Sequence, residues 1–499
     1  MLDRQTRVLN NREKYLSNFL RVLCGVITLL MIVFSIVGLF PQGVKFGLIM
    51  LIGLVFVTAA IIISVFKLSD SKYRIFWLTI ILIGIALRIV YSLTIDVSIV
   101  SDQQHCLTAA QQAANGDFSW ATSDDYFVVW AYQIPFVLYE SVILKIFGTI
   151  RALYVFNGLF SILTCIFIYL IFKKVYQKNV ALITTAIFAC FPMLICSISR
   201  LYNQIIAGVF LLCAIYFFID VCKQPTLFVT KKAIKNIILP CALTGMFLGI
   251  SNVFRPEAII GVLAVVVWFA YSFITKANKK NVWTLLLGSA IGILAAYLSY
   301  KIVNVGVGTA VIFSGISPNG ISNGCIYWTI VCGMTPDSYG GYSTTYISIL
   351  DYKEPSEQFV VFKKMMAEIF SNRSIGDIIH FFVMKEYKMW GEIYYCCELN
   401  NAPNLVYVLL NNISHGIYII TALFALLGLR KRKFNPTKAF LIILFLGFFM
   451  ALVIKEANSP YRYSTVLVLV LMSANGIEYL IDKKMNIKSR FLKDKKAIQ

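Results

Sequence analysis

Histidine is nearly missing from these 499 residues: the chain holds three, His105, His380 and His415. That scarcity argues against a multi-histidine metal centre and against a histidine-based catalytic triad. Acidic residues are also few, 24 in all, and charged residues of both signs make up only 14% of the chain. Hydrophobic residues make up 59%, which no soluble domain of this length can hide from water. The twelve cysteines show no pair of CxxC motifs, and most fall inside apolar runs, where cysteine packs as a small apolar residue. Outside those runs stand Cys106, Cys325, Cys332, Cys396 and Cys397, of which Cys325 and Cys332 are spaced for a disulfide if their compartment is oxidising. No internal repeat and no matched pair of broken helices is visible, which argues against an inverted-repeat transporter.

Twelve apolar runs are long enough to cross a bilayer: 16–40, 44–66, 75–95, 150–172, 180–197, 203–222, 237–255, 257–275, 283–302, 405–428, 437–455 and 461–481. The formal charge of +21 would point to nucleic acid in a soluble protein, but its distribution tells another story. With both termini cytoplasmic, the inner segments hold 29 of the 45 Lys and Arg residues and the outer segments hold 8, while 16 of the 24 acidic residues lie outside. This is the positive-inside pattern. The basic residues are spread over short loops and a tail, so nucleic acid is not an expected partner. The first apolar run is too long for a signal-peptide core and lacks a small-residue cleavage site, so no cleaved signal is expected.

The expected fold is an all-α polytopic membrane protein of about twelve transmembrane helices. Only two outer segments are long, 96–149 and 303–404, so chemistry on the outer face should come from these loops and from helix ends. Three parts follow: a bundle over 1–302 carrying the first loop, an extracytoplasmic loop over 303–404, and C-terminal helices with a basic cytoplasmic tail over 405–499. The apolar segment 132–148 is short and carries Pro135, Glu140 and Lys145. Counting it as a span would invert every later loop, so it reads as an interfacial or re-entrant helix. In the second loop, 303–347 is rich in Gly, Ser, Asn and Pro and reads as irregular, whereas 354–390 has apolar residues at helical spacing.

Several side chains are candidates for chemistry. Asp102 lies just beyond the third span at the start of a helical stretch, where a carboxylate can serve either as a helix cap or as a base for an acceptor hydroxyl. Asp124 and Asp125, followed by Tyr126, read either as substrate-binding residues or as a solvated turn. His105 either joins Asp102 or is solvated. Arg255 in GISNVFRPEAII and Arg462 in EANSPYRYST stand at outer helix ends, where a guanidinium either grips a phosphate bidentately or pairs with Glu257 or Glu456. Arg88, about two turns inside the third span, is a buried charge that needs a partner or a cavity, and Arg200 is a further candidate.

The order of these features resembles the superfamily of polytopic glycosyltransferases with the C-type fold, which includes the protein O-mannosyltransferases and the lipid A aminoarabinose transferases. The resembling pieces are SDQQHCLTAAQQAANGDF, DDYFVVWAYQIP with LKIFGTIRALYVFNGLFSILT, LTGMFLGISNVFRPEAII, GMTPDSYGGY and YRYSTVLVLVLMSANGIEYL, in order over most of 75–481. The resemblance implies juxtamembrane helices in the first outer loop, a polyprenyl-phosphate-linked sugar as donor, and Asp102 as the catalytic carboxylate. Arg255, Arg462 and Lys385 are then expected to hold the donor phosphate, and a glycan or other hydroxyl compound is the expected acceptor, with membrane lipids around the bundle. Where relatives often carry an acidic residue near 203, this chain has Asn203 and Gln204. No cofactor is expected, and dependence on a divalent metal stays open. Two rival readings remain, a transporter or flippase of lipid-linked sugars and a polysaccharide polymerase or ligase. The first predicts charges at the bilayer midplane, and the second predicts arginines clustered in 303–404, which contains Arg373 alone.

Overall fold

The structure is a computed structural model. It describes residues 2–41, 43–66, 71–224, 231–278, 281–322, 324–352, 354–371, 373–392, 404–430 and 435–498, without side chains for 2–10, 231–235 and 484–498. The predicted Cys396 and Cys397, and parts of the inner loops, lie outside these residues.

Twenty α-helices follow one another, and no strand occurs among the described residues. The first three, α1 (Leu2–Val37), α2 (Val44–Phe66) and α3 (Ser71–Thr94), lead into a first loop with α4 (Asp102–Ala114), α5 (Trp120–Ser123), α6 (Asp125–Val129) and α7 (Ile134–Phe147). Then come α8 (Ile150–Val175), α9 (Lys178–Ala189), α10 (Pro192–Cys196), α11 (Gln204–Cys222), α12 (Lys231–Phe254), α13 (Ile259–Lys276) and α14 (Val282–Phe313). A second loop carries α15 (Trp328–Met334), α16 (Pro355–Phe370) and α17 (Ile375–Trp390), before α18 (Asn404–Gly428), α19 (Pro436–Ile454) and α20 (Tyr463–Ile498) close the chain. Eleven helices are long and apolar enough to cross a membrane, or twelve if a bent pair is one span. The chain is therefore an all-α polytopic membrane protein, as its hydropathy requires.

The bent pair occupies the predicted 180–197 span: Lys178–Ala189 and Pro192–Ser199 meet at 61°. Proline explains the break, because Pro192 has no N–H for the carbonyl of Phe188 and the Met193 amide turns instead to the Ser414 hydroxyl at 3.2 Å. The break releases the Ala189 carbonyl and leaves that of Phe188 a bond from the Phe191 amide at 3.1 Å, and both carbonyls face Arg88. Its Nη1 donates to Ala189 at 2.5 Å and its Nη2 to Phe188 at 3.5 Å, while Nε donates to the Ser161 hydroxyl at 2.9 Å. Gly84 makes the approach feasible, since a Cβ there would meet the Ala189 oxygen at 2.5 Å. Arg88, expected as a functional cation, is thus fully buried and committed to mending a helix break.

Segment 132–148 is not a span. Its helix α7 has 14 residues, ends on Gly148 in the left-handed region, and packs on α4 with eight of its side chains buried. Helix α14 runs to Phe313, past the predicted end at 302, so irregular chain begins at Ser314 and not at 303. The expected helical stretch 354–390 is two helices, α16 beginning on Pro355 and α17 on a capping box between Ser374 and Asp377. The two long loops are tied together where the Gly324 amide donates to the Val129 carbonyl at 2.7 Å. Cys325 and Cys332 are buried and are not joined in a disulfide.

Candidate active site

Helix α4 begins abruptly. Ser101 holds φ 57° and ψ −138°, a region that residues with a Cβ rarely adopt, and its side chain makes no capping bond. Such strain persists only where the surroundings enforce it. Asp102 therefore occupies the first helical position instead of the cap, and its side chain lines one wall of a cleft. Five chain segments complete the cleft: the turn before α7, residues 201–204 before α11, Arg255 between α12 and α13, and Asn458 and Tyr461 between α19 and α20, together with Cys106 one turn along α4. Successive helices alternate direction, so these segments meet at one end of the bundle.

Arg255 is aimed by its neighbours. Its Nη1 donates to Asn203 Oδ1 at 3.5 Å, its Nε lies 3.7 Å from Glu257 Oε2, and its guanidinium sits 4.7 Å from the centre of the Tyr461 ring. Glu257 is itself fixed by the Ser464 hydroxyl, which donates to Oε1 at 2.5 Å. Asn203 donates to Gln133 Oε1 at 2.8 Å, and Gln133 donates to the Tyr126 hydroxyl at 3.2 Å. The amide at 203 thus links the first loop to the cation, a role that an acidic residue would fill with a charge.

The electrostatics follow from this crowding. Desolvation raises the pKa of Asp102 above the ordinary aspartate value, and the charges of His105 and Arg255 and a hydrogen bond with Ser101 pull it back in part. Burial also raises Glu456, and the Asp102 charge adds to that. Tyr132, facing both, is pushed up to about 12, chiefly by burial. Beneath the cleft, Glu140 of α7 is 1% exposed and its two oxygens accept no hydrogen bond from the described residues, so burial raises its pKa far above the carboxylate range.

The other predicted residues divide. Asp124 caps α6 by accepting from the Tyr126 amide at 2.9 Å, and His105 approaches it at 3.4 Å while stacking on Tyr126 at 4.9 Å. Asp125 is exposed and lines neither this cleft nor the neighbouring outer groove of α4. Arg200 is not among the residues lining the cleft, and its Nη1 donates to the hydroxyl of Tyr202, which is, at 3.4 Å. Lys385 is 1% exposed and donates to the carbonyls of Gly333 at 2.5 Å and Val453 at 2.8 Å, with burial pushing its pKa down to about 8. Arg462 is fully buried: it donates to the Met389 carbonyl and, at 2.9 Å, to that of Glu392, against the rings of Trp390 and Tyr418. These two cations, expected at the donor phosphate, instead fasten α17 to the bundle. Arg462→Met should accordingly lower thermal stability by about 1–3 kcal/mol for each carbonyl left unpaired, measured on protein in lipid nanodiscs. Unchanged melting would return Arg462 to the list of functional cations.

Sequence patterns did not single out Tyr132, Gln133, Tyr461 or Cys106 as cleft residues. The motifs YQIP and YRY contain the first three, but a tyrosine beside a membrane interface is ordinary and carries no signal by itself.

Neither a family model nor a curated protein matches the chain. Among solved structures it is similar to the archaeal oligosaccharyltransferase AglB from Archaeoglobus fulgidus in complex with an inhibitory peptide and a dolichol-phosphate. The identity is 14% and the TM-score 0.44, over 83% of this chain and 51% of that one. The apo form of the Archaeoglobus fulgidus oligosaccharyltransferase gives 13% and 0.44, over 82% and 51%, and its complex with Zn and sulfate gives 14% and 0.38, over 70% and 40%. The chain spans about half the length of the first two of these structures. Among the described residues no group of three or more His, Cys, Asp or Glu side chains is placed to hold a metal ion.

Proposed function

We propose that the protein is a membrane glycosyltransferase that moves a sugar from a polyprenyl-phosphate donor to an acceptor hydroxyl on the extracytoplasmic side of the cell membrane. The observation that carries this reading is the meeting of one carboxylate, Asp102, and one positioned guanidinium, Arg255, in a single cleft at one end of a membrane bundle. Asp102 accepts the proton of the acceptor hydroxyl, whose oxygen attacks the anomeric carbon from the face opposite the phosphate. The bond between that carbon and the phosphate oxygen breaks, the configuration inverts, and the lipid phosphate departs with its charge held by Arg255. Asn203 and Glu257 keep the guanidinium on target, and Tyr461 covers its other face. A surface glycan is the acceptor class that the resemblance favours. The bundle over 1–302 supplies the base and the cation, the turn before α20 closes the cleft, and 303–404 braces the first loop.

The direct test is transfer by the purified protein in nanodiscs supplied with polyprenyl-phosphate sugars, joined to mass spectrometry of surface glycans from cells with and without it. Product with inverted anomeric configuration is expected. Absence of both transfer and any glycan difference would overturn the reading. Orientation has its own check: Ser119→Cys and Ser338→Cys should both react with an impermeant thiol reagent in intact cells, since both termini are placed inside. Protection of either site would reverse the topology.

A further inference from the structure

A second concavity lies far from the cleft. It is a groove of about 1000 Å³ between α3, α8 and α9, walled by Ile75, Leu78, Ile81, Ile85, Ile166 and Leu182, with Arg74 and Lys178 at its mouth. Arg74 begins α3 and Thr94 ends it, so the mouth stands roughly 30 Å from the Asp102 end of the same helix. Along α3 the groove extends from Arg74 to Ile85, roughly 16 Å, or about half of the ~30 Å hydrocarbon core. Its depth is that of one leaflet.

The mouth demands an anion. Arg74 and Lys178 are both exposed, and neither has an acidic partner among the described residues. Each stands in the first turn of its helix, where the backbone dipole is already positive and a cation is unfavourable. No acidic residue occurs in the first turn of α9, and Gln177 before it makes no side-chain capping bond, so the N-terminus of α9 adds to the positive field. A ligand that satisfies this site has a negative head and an apolar tail one leaflet long.

We propose that the groove binds an anionic phospholipid of the leaflet opposite the Asp102 cleft, with its phosphate between Arg74 and Lys178 and one acyl chain along α3. The sugar donor of the proposed reaction is a different ligand, because its phosphate has to reach Asp102 at the other end of the bundle. This inference stands independently of that reaction.

The experiment titrates the full-length protein in mild detergent with phosphatidylglycerol and with phosphatidylcholine of identical chains, counting bound lipid by native mass spectrometry. Two surface cations correspond to roughly thirtyfold tighter binding of the anionic lipid. The double variant Arg74→Gln, Lys178→Gln should erase the preference, and both positions are exposed, so folding is not at stake. Leu78→Trp, which fills the groove, should weaken both lipids. Equal affinity of the unaltered protein for the two lipids would overturn the proposal, as would a preference that survives the double variant. Polyprenyl phosphate displacing the phospholipid from the groove, or a dimer sealed across it, would do the same.

Discussion

Asp102→Asn should cut sugar transfer about 100-fold to 10,000-fold while leaving expression, thermal stability and donor binding nearly unchanged. The substitution keeps the side-chain size and removes only the capacity to take a proton. Stability should hold because Asp102 is exposed and stands at the first helical position, not at the cap. The pH profile adds a second readout. A base works when deprotonated, so activity should fall as pH drops through the pKa of Asp102, and desolvation places that fall above the ordinary aspartate range. Near-normal turnover of the Asn variant would reduce Asp102 to a structural carboxylate and shift attention to Asp124, which already holds His105 on the neighbouring wall of α4.

Arg255→Lys should fail nearly as badly as Arg255→Ala in donor turnover, by at least roughly tenfold for each. The argument is geometric. The guanidinium is held at Nη1 by Asn203, at Nε by Glu257 and on its face by Tyr461, which fixes its orientation. An ammonium on a flexible stem carries the same charge but cannot reproduce that fork. Turnover and donor affinity should be measured for both variants alongside Asn203→Ala, in which the guanidinium keeps its charge and loses its brace. Full activity of the Lys variant would mean that charge alone is used, and full activity of the Ala variant would move the phosphate site elsewhere. Arg462 and Lys385 donate to backbone carbonyls around α17.

Membrane class, the number of spans and the non-spanning nature of 132–148 were all legible in the sequence, because hydropathy and loop charge are local and additive along a chain. The helix ends were less so. Residues 303–313 carry Asn304 and two glycines and read as loop, yet α14 continues through them: Asn304 donates to the Tyr300 carbonyl one turn back in its own helix at 2.8 Å and accepts from the Asn252 side chain of α12 at 2.9 Å.

The site was legible only in part. Asp102 could be picked out because its position after a span and before a helix is a feature of consecutive residues. The cations could not be sorted, since Arg88, Arg255 and Arg462 occupy similar places near outer span ends. What separates them is the partners that packing brings up: Arg88 meets the carbonyls at the break before Pro192, Arg462 meets the end of α17, and Arg255 lies against Asn203, Glu257 and Tyr461. By itself the sequence determined a polytopic helical bundle and singled out Asp102 as the candidate carboxylate after its third span. Only the tertiary structure decided which guanidinium faces that carboxylate, because inside a membrane a charge goes where unpaired carbonyls or carboxylates need it, and those are created by helix packing.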